Sequence, residues 1–184
     1  MIQQLKAAAV AAFILAIGAC SSGAGEHKPP VENTSPQTTE AEPIKKTPVQ
    51  ATVNDEVLQA VYLKYLDLSK ALTDGDLTGA RLSSNALEAG AVRLSGGSKL
   101  ASLAANITVA SGLAGQRLHF AALSNEMVRL VKKAGLHEGA IYVDYCPMAL
   151  NDKGAYWLSA EEEIRNPYFG EEMLTCGEVK ETLQ

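Results

Sequence analysis

The sequence predicts an all-α domain, an up-and-down bundle of about four helices, closed by an irregular C-terminal segment that contains a short strand. Apolar residues recur at helical spacing from Val57 to Ala134, breaks rich in Gly, Ser and Asp divide that stretch, and after Gly139 the period changes to alternation. The first helix follows capping chemistry at Thr52 to Asp55. Val57, Val61, Tyr65, Leu68 and Leu72 line one face, widened by Leu58, Tyr62 and Leu66. Asp74-Gly75-Asp76 stops it near Thr73, with Gly75 as a left-handed C-cap and Asp76 as the next N-cap. The same residues could open a calcium loop, but Asn85 stands where that loop needs its closing Glu, so they read as caps.

The second helix is expected from Leu77 to about Leu94, weakened by Gly79 and Gly90, and it ends in Ser95-Gly96-Gly97. Ser98 is expected to cap a third, Lys99 to Ala110, whose apolar positions are Leu100, Leu103, Ala104 and Ile107. After Ser111-Gly112 the fourth places Leu113, Phe120, Leu123, Met127, Leu130, Val131 and Ala134 on one face, and Lys132 and Lys133 suit its C-terminal dipole. The run from Ala140 to Tyr145 alternates like a strand. From Cys146 to Gly177 no long period is visible, while Tyr156, Trp157, Tyr168 and Phe169 supply aromatic surface to pack on the bundle.

Of 184 residues, 47% are hydrophobic and the net charge is -5, which allows one ordinary domain and disfavours a phosphate-tracking basic face, so no nucleic-acid partner is expected. Residues 1–19 have the form of a lipoprotein signal peptide: Lys6, an apolar run from Ala7 to Ile17 too short to span a bilayer, then Gly18-Ala19 before Cys20. This resembles a bacterial lipobox, with Ile17 where Leu is commonest, and Cys20 is the expected lipidated N-terminus. Stable anchoring through more than one acyl chain makes the membrane a partner and places the chain in the oxidising cell envelope, facing the periplasm. The absence of an inner-membrane retention Asp after Cys20 favours the outer membrane. Residues 20–50 read as a disordered linker, holding five of the seven prolines and no aromatic residue, and residues 51–184 as the single helical domain.

No nucleophile elbow, zinc-protease helix, Walker loop or dinucleotide fingerprint is present, so no catalytic residues and no enzyme are expected. Glu161, Glu162 and Glu163 read as a solvated face. The informative residues are Cys146 with Met148 and Met173 with Cys176, two sulfur pairs. Thiolate and thioether are soft donors that suit copper(I) or silver(I), and His119 on the fourth helix is a candidate fifth donor. In an oxidising compartment the same cysteines can instead form a Cys146–Cys176 disulfide, with the methionines as core filler, or stay separate buried thiols. The residues alone leave all three open.

Several C-terminal runs carry a family resemblance: Arg117-Leu118-His119-Phe120, Tyr145-Cys146-Pro147-Met148-Ala149, Gly154-Ala155-Tyr156-Trp157-Leu158-Ser159, Ile164-Arg165-Asn166-Pro167-Tyr168-Phe169-Gly170 and Met173-Leu174-Thr175-Cys176-Gly177. The stretch from Val57 to Val179 resembles domain-of-unknown-function family 3347, which is similar to segments appended to periplasmic adaptors of copper and silver efflux pumps. Tyr145 to Met148 also resembles their short heavy-metal-binding segments, with Ala149 and Leu150 in place of the final histidine and proline. Cys176, Met173 or His119 would then supply the missing donors. Trp157, Asn166, Pro167 and Tyr168 read as structural, a packed indole and a turn that orients the second sulfur pair. The resemblance implies a lipid-anchored protein that buffers Cu(I) or Ag(I) or delivers it to an efflux adaptor; the alternative is an interaction module stapled by the disulfide. Replacing Cys20 by Ser is expected to abolish acyl labelling and move the chain from the membrane to the soluble envelope fraction. A labelled, membrane-bound Cys20→Ser chain would refute the anchor.

Overall fold

In the computed structural model, which describes residues 50–184, Asp55 opens helix α1 (Glu56–Thr73) by accepting the Leu58 N–H at 2.8 Å. The expected signal peptide (residues 1–19), Cys20 and almost all of the expected linker lie outside the described residues. Asp76 opens α2 (Leu77–Ala91) in the same way, accepting from Thr78 and Gly79 at 3.0 and 2.8 Å, and Gly75 turns the corner at φ 72°. After α2 the chain tightens through Arg93 N–H to Gly90 and Leu94 N–H to Ala91, so the helix stops short of the expected Leu94. Ser98 is not the cap of α3 (Ser98–Val109) but its first residue. Gly97 takes the cap position because the corner is too tight for a side chain: a Cβ there would fall 2.2 Å from the Ala91 carbonyl. Ala110 to Gly112 then leads into α4 (Leu113–Ala134).

Each helix packs on the next, and α4 returns to α1, giving an all-α bundle of four helices. Its core draws on all four helices: Val61, Tyr62, Tyr65, Leu68 and Leu72 meet Ala80, Leu87, Leu100, Ala104, Ile107, Phe120, Leu123 and Met127, all essentially inaccessible, whereas Val57, expected on the first stripe, is exposed at the start of α1. Polar ties also join the helices. Ser84 Oγ donates to the Ala104 carbonyl at 2.7 Å, joining α2 to α3. Buried Glu126 of α4 meets Lys99 of α3 at 2.8 Å as well as Arg129, and these cations, Arg129 foremost, hold its carboxyl below the usual range. Among the described residues no helix is long and apolar enough to cross a membrane.

Strands β1 (Thr52–Val53) and β2 (Leu136–Glu138) pair antiparallel beside the start of the bundle. The alternating run forms β3 (Ile141–Cys146), the middle of an antiparallel sheet ordered β4-β3-β5, with β4 (Ala155–Ser159) and β5 (Glu178–Leu183) on its flanks. Val143 lies opposite Glu181 and Asp144 opposite Val179, so β5 carries Lys180 as one extra residue. The strand-bearing C-terminal region is therefore more ordered than its lack of period implied. β5 is mostly exposed and pairs on one side only, which leaves no apolar alternation to read.

The other edge, β4, is closed by side chains. The Leu158 N–H donates to Tyr65 Oη at 2.9 Å, and the Tyr156 carbonyl accepts from Tyr168 Oη at 2.6 Å. Tyr65 Oη also shares a hydrogen bond with Ser124 Oγ of α4 at 2.6 Å. The rings continue the connection: Tyr65 stacks on Phe120 with centroids 5.4 Å apart, Phe120 meets Tyr168 at 5.6 Å, and Tyr168 meets the Trp157 edge at 6.0 Å. Tyr65→Phe leaves the rings in place and strands the buried Leu158 N–H. It is expected to lower stability by about 1–3 kcal/mol with a native circular dichroism spectrum. An unchanged urea midpoint would show that this hydroxyl contributes nothing to the junction.

Candidate functional site

Cys146 is the last residue of β3, fully buried opposite Ala155, whose small side chain leaves it room. Cys176 lies just before β5 and is partly exposed. Their Sγ atoms are 2.8 Å apart, in direct contact. The sequence thus named two residues, thirty positions apart, that the fold brings into contact. With both cysteines reduced, hydrogen bonding to Cys146, and then burial, pushes the Cys176 thiol up to about 11.

The loop that returns Cys176 is organised by Asn166, which is inaccessible to solvent. Its Nδ2 donates to the Cys176 carbonyl at 2.7 Å, while its Oδ1 accepts the N–H groups of Tyr168 at 2.8 Å and Phe169 at 3.3 Å. Its backbone N–H reaches the Leu174 carbonyl at 2.8 Å, and its carbonyl accepts from Gly170 at 3.0 Å. Immediately after Cys176 the chain passes the Trp157 ring at Gly177, φ 146°, where a Cβ would come within 2.8 Å of the indole and 3.1 Å of the Tyr145 carbonyl. Trp157, Asn166 and Tyr168 form this support.

The other named donors are placed differently. Met173 shares a turn with Cys176, whose N–H donates to the Met173 carbonyl at 3.1 Å. Met148 is 46% exposed and precedes a short left-handed turn in which Leu150, Asn151 and Asp152 all have positive φ. His119 is exposed on α4 beside buried Phe120. Among the described residues no three His, Cys, Asp or Glu side chains converge, so His119 does not join the two thiols. The arrangement brings two cysteine sulfurs together, with Met148 and Met173 in neighbouring turns of the chain and no imidazole joining the pair.

One buried group was not singled out in the sequence. Asp144 lies on the same face of β3 as Cys146, two residues before it, and opposite Trp157. It is completely buried, and neither carboxylate oxygen has a hydrogen-bond partner among the described residues. Burial alone raises its pKa from 3.8 to about 7. The available signal was a carboxyl in the middle of a strand otherwise made of Ile, Tyr, Val and Cys.

Residues 61–139 match the family model described as "Protein of unknown function (DUF3347)", so a DUF3347 domain is present there. That match runs from within α1 to the end of β2 and includes His119, while Cys146, Asp144 and Cys176 lie beyond it. No curated protein and no solved structure matches the chain.

A carboxyl whose pKa is raised on folding favours the native state only while protonated. The contribution of Asp144 is complete below about 4 and is lost as pH rises through about 7. Asp144→Asn is therefore expected to melt at a higher temperature than the parent at pH 8, with the two melts converging by pH 4. A gap independent of pH would show that Asp144 is not the titrating group.

Proposed function

We propose that this is a non-enzymatic, lipid-anchored envelope protein that binds a soft monovalent ion, Cu(I) or Ag(I), through Cys146 and Cys176. The observation that carries the reading is the contact of the two sulfurs at 2.8 Å in a chain with no other cysteine after Cys20. Two thiols in contact, one buried and one open to solvent, form a chelating pair whose open member meets an incoming ion first. Loss of both protons leaves a dithiolate for one cation, and Met173 and Met148 are the thioether donors nearest in sequence to each thiol. The family resemblance of the C-terminal runs supports delivery to a heavy-metal efflux adaptor, the Cys20 signature supports a lipid anchor, and the absence of a retention Asp after Cys20 favours the outer membrane. His119 is the weakest member of the proposed donor set because it stands apart from the thiols.

The same 2.8 Å contact also favours a second reading, a Cys146–Cys176 disulfide that staples an interaction module. Closing a loop of this length would contribute roughly 3–4 kcal/mol by chain entropy. Thiol counting in protein taken directly from the envelope, followed by anaerobic Cu(I) titration against a competing chelator, separates the two. Two free thiols and one-to-one binding that Cys146→Ser/Cys176→Ser abolishes are expected. Unchanged affinity in that folded double variant would overturn the metal site, and a fully formed bridge without binding would establish the staple.

A further inference from the structure

We propose that Asn166 is the positioning residue of the dithiol, its carboxamide holding the Cys176 sulfur against Cys146. The inference rests on the reading of Cys146 and Cys176 as one functional pair, and it identifies what makes the pair. Cys146 is located by strand register, since β3 pairs on both sides. Cys176 belongs to no strand. It sits between the 3-10 turn at Gly170–Met173 and β5, where sheet pairing has not yet begun. Its place is set by its neighbours: the Asn166 carboxamide on its carbonyl and the Trp157 ring against Gly177.

The carboxamide is suited to this task in a way no other side chain of its size is. Oδ1 gathers the Tyr168 and Phe169 N–H groups at the start of the loop, and Nδ2 donates to Cys176 at its end. Asp has the shape and both acceptor contacts but no donor, and it would turn a carboxylate oxygen toward the Cys176 carbonyl. Leu and Ala make none of these bonds. Because these bonds close the loop without involving the sulfurs, the two cysteines face each other at high effective concentration, which favours either a one-to-one metal chelate or a disulfide over intermolecular thiol chemistry.

The test is the equilibrium constant of the Cys146–Cys176 pair in glutathione redox buffers, without metal, read on the full chain by peptide-resolved thiol counting. Asn166→Asp is expected to lower that constant about tenfold or more while the far-ultraviolet circular dichroism stays native. Gly177→Ala, which disturbs the same chain reversal from the Trp157 side, is expected to lower it too. Ile107→Val in α3 is the control, expected to lower the melting temperature and leave the constant unchanged. A change below twofold in folded Asn166→Asp, or an equal change in the α3 control, would overturn the proposal. Collapse of both loop variants would overturn it as well, by making Asn166 a determinant of the fold rather than of the sulfur pair. A failed Cu(I) titration leaves this equilibrium untouched, so the two readings fail separately.

Discussion

The junction between bundle and sheet depends on one buried phenol. Tyr65 Oη accepts the free-edge N–H of Leu158 and shares a hydrogen bond with Ser124, so a single oxygen links α1, α4 and β4. The constraint behind it is general: an edge strand laid on an apolar bundle brings unpaired backbone groups out of water, and each must find a partner. Here Tyr65 and Tyr168 take the place of a neighbouring strand, while their rings add to the core that the edge covers. Packing and polar satisfaction are met by the same side chains, which is why the aromatics cluster at this junction in a chain that has few of them.

The sulfur pair inherits its geometry from that junction. β3 is held between β4 and β5, which places Cys146 at the sheet's end, and Tyr168 fixes the loop that brings Cys176 back. Asp144 departs from that pattern, a buried carboxyl with neither oxygen partnered among the described residues. Its inward position follows from the register of β3, so the strand that locates one thiol also buries an acid two residues away. The matched DUF3347 region supplies most of the helical platform, and both cysteines of the pair lie in the sheet and loop that follow it.

The helices were legible because their information is local. Asp55 and Asp76 cap where the sequence places them, Gly75 turns where a left-handed residue was needed, and the stripe from Val61 to Leu72 is the buried face of α1. Ser98 misled because the residue that fits the α2–α3 corner is the one before it, and that fit depends on the Ala91 carbonyl across the turn. β4 and β5 were illegible for a similar reason. A five-residue strand and a charged edge strand are defined by their partner, and β3 carries the only clear alternation.

By itself the sequence determined the all-α bundle, its helix caps and stripes, the strand after Gly139, and the two cysteines as the residues to watch, because periodicity, capping and residue type act over a few positions. Tertiary structure alone decided that the cysteines touch, that Met148 is exposed and His119 does not join the two sulfurs, and that Asp144 is buried without a partner among the described residues. Those outcomes depend on strand register and on the closure of the loop by Asn166, contacts between residues too far apart in the chain for any local pattern to encode.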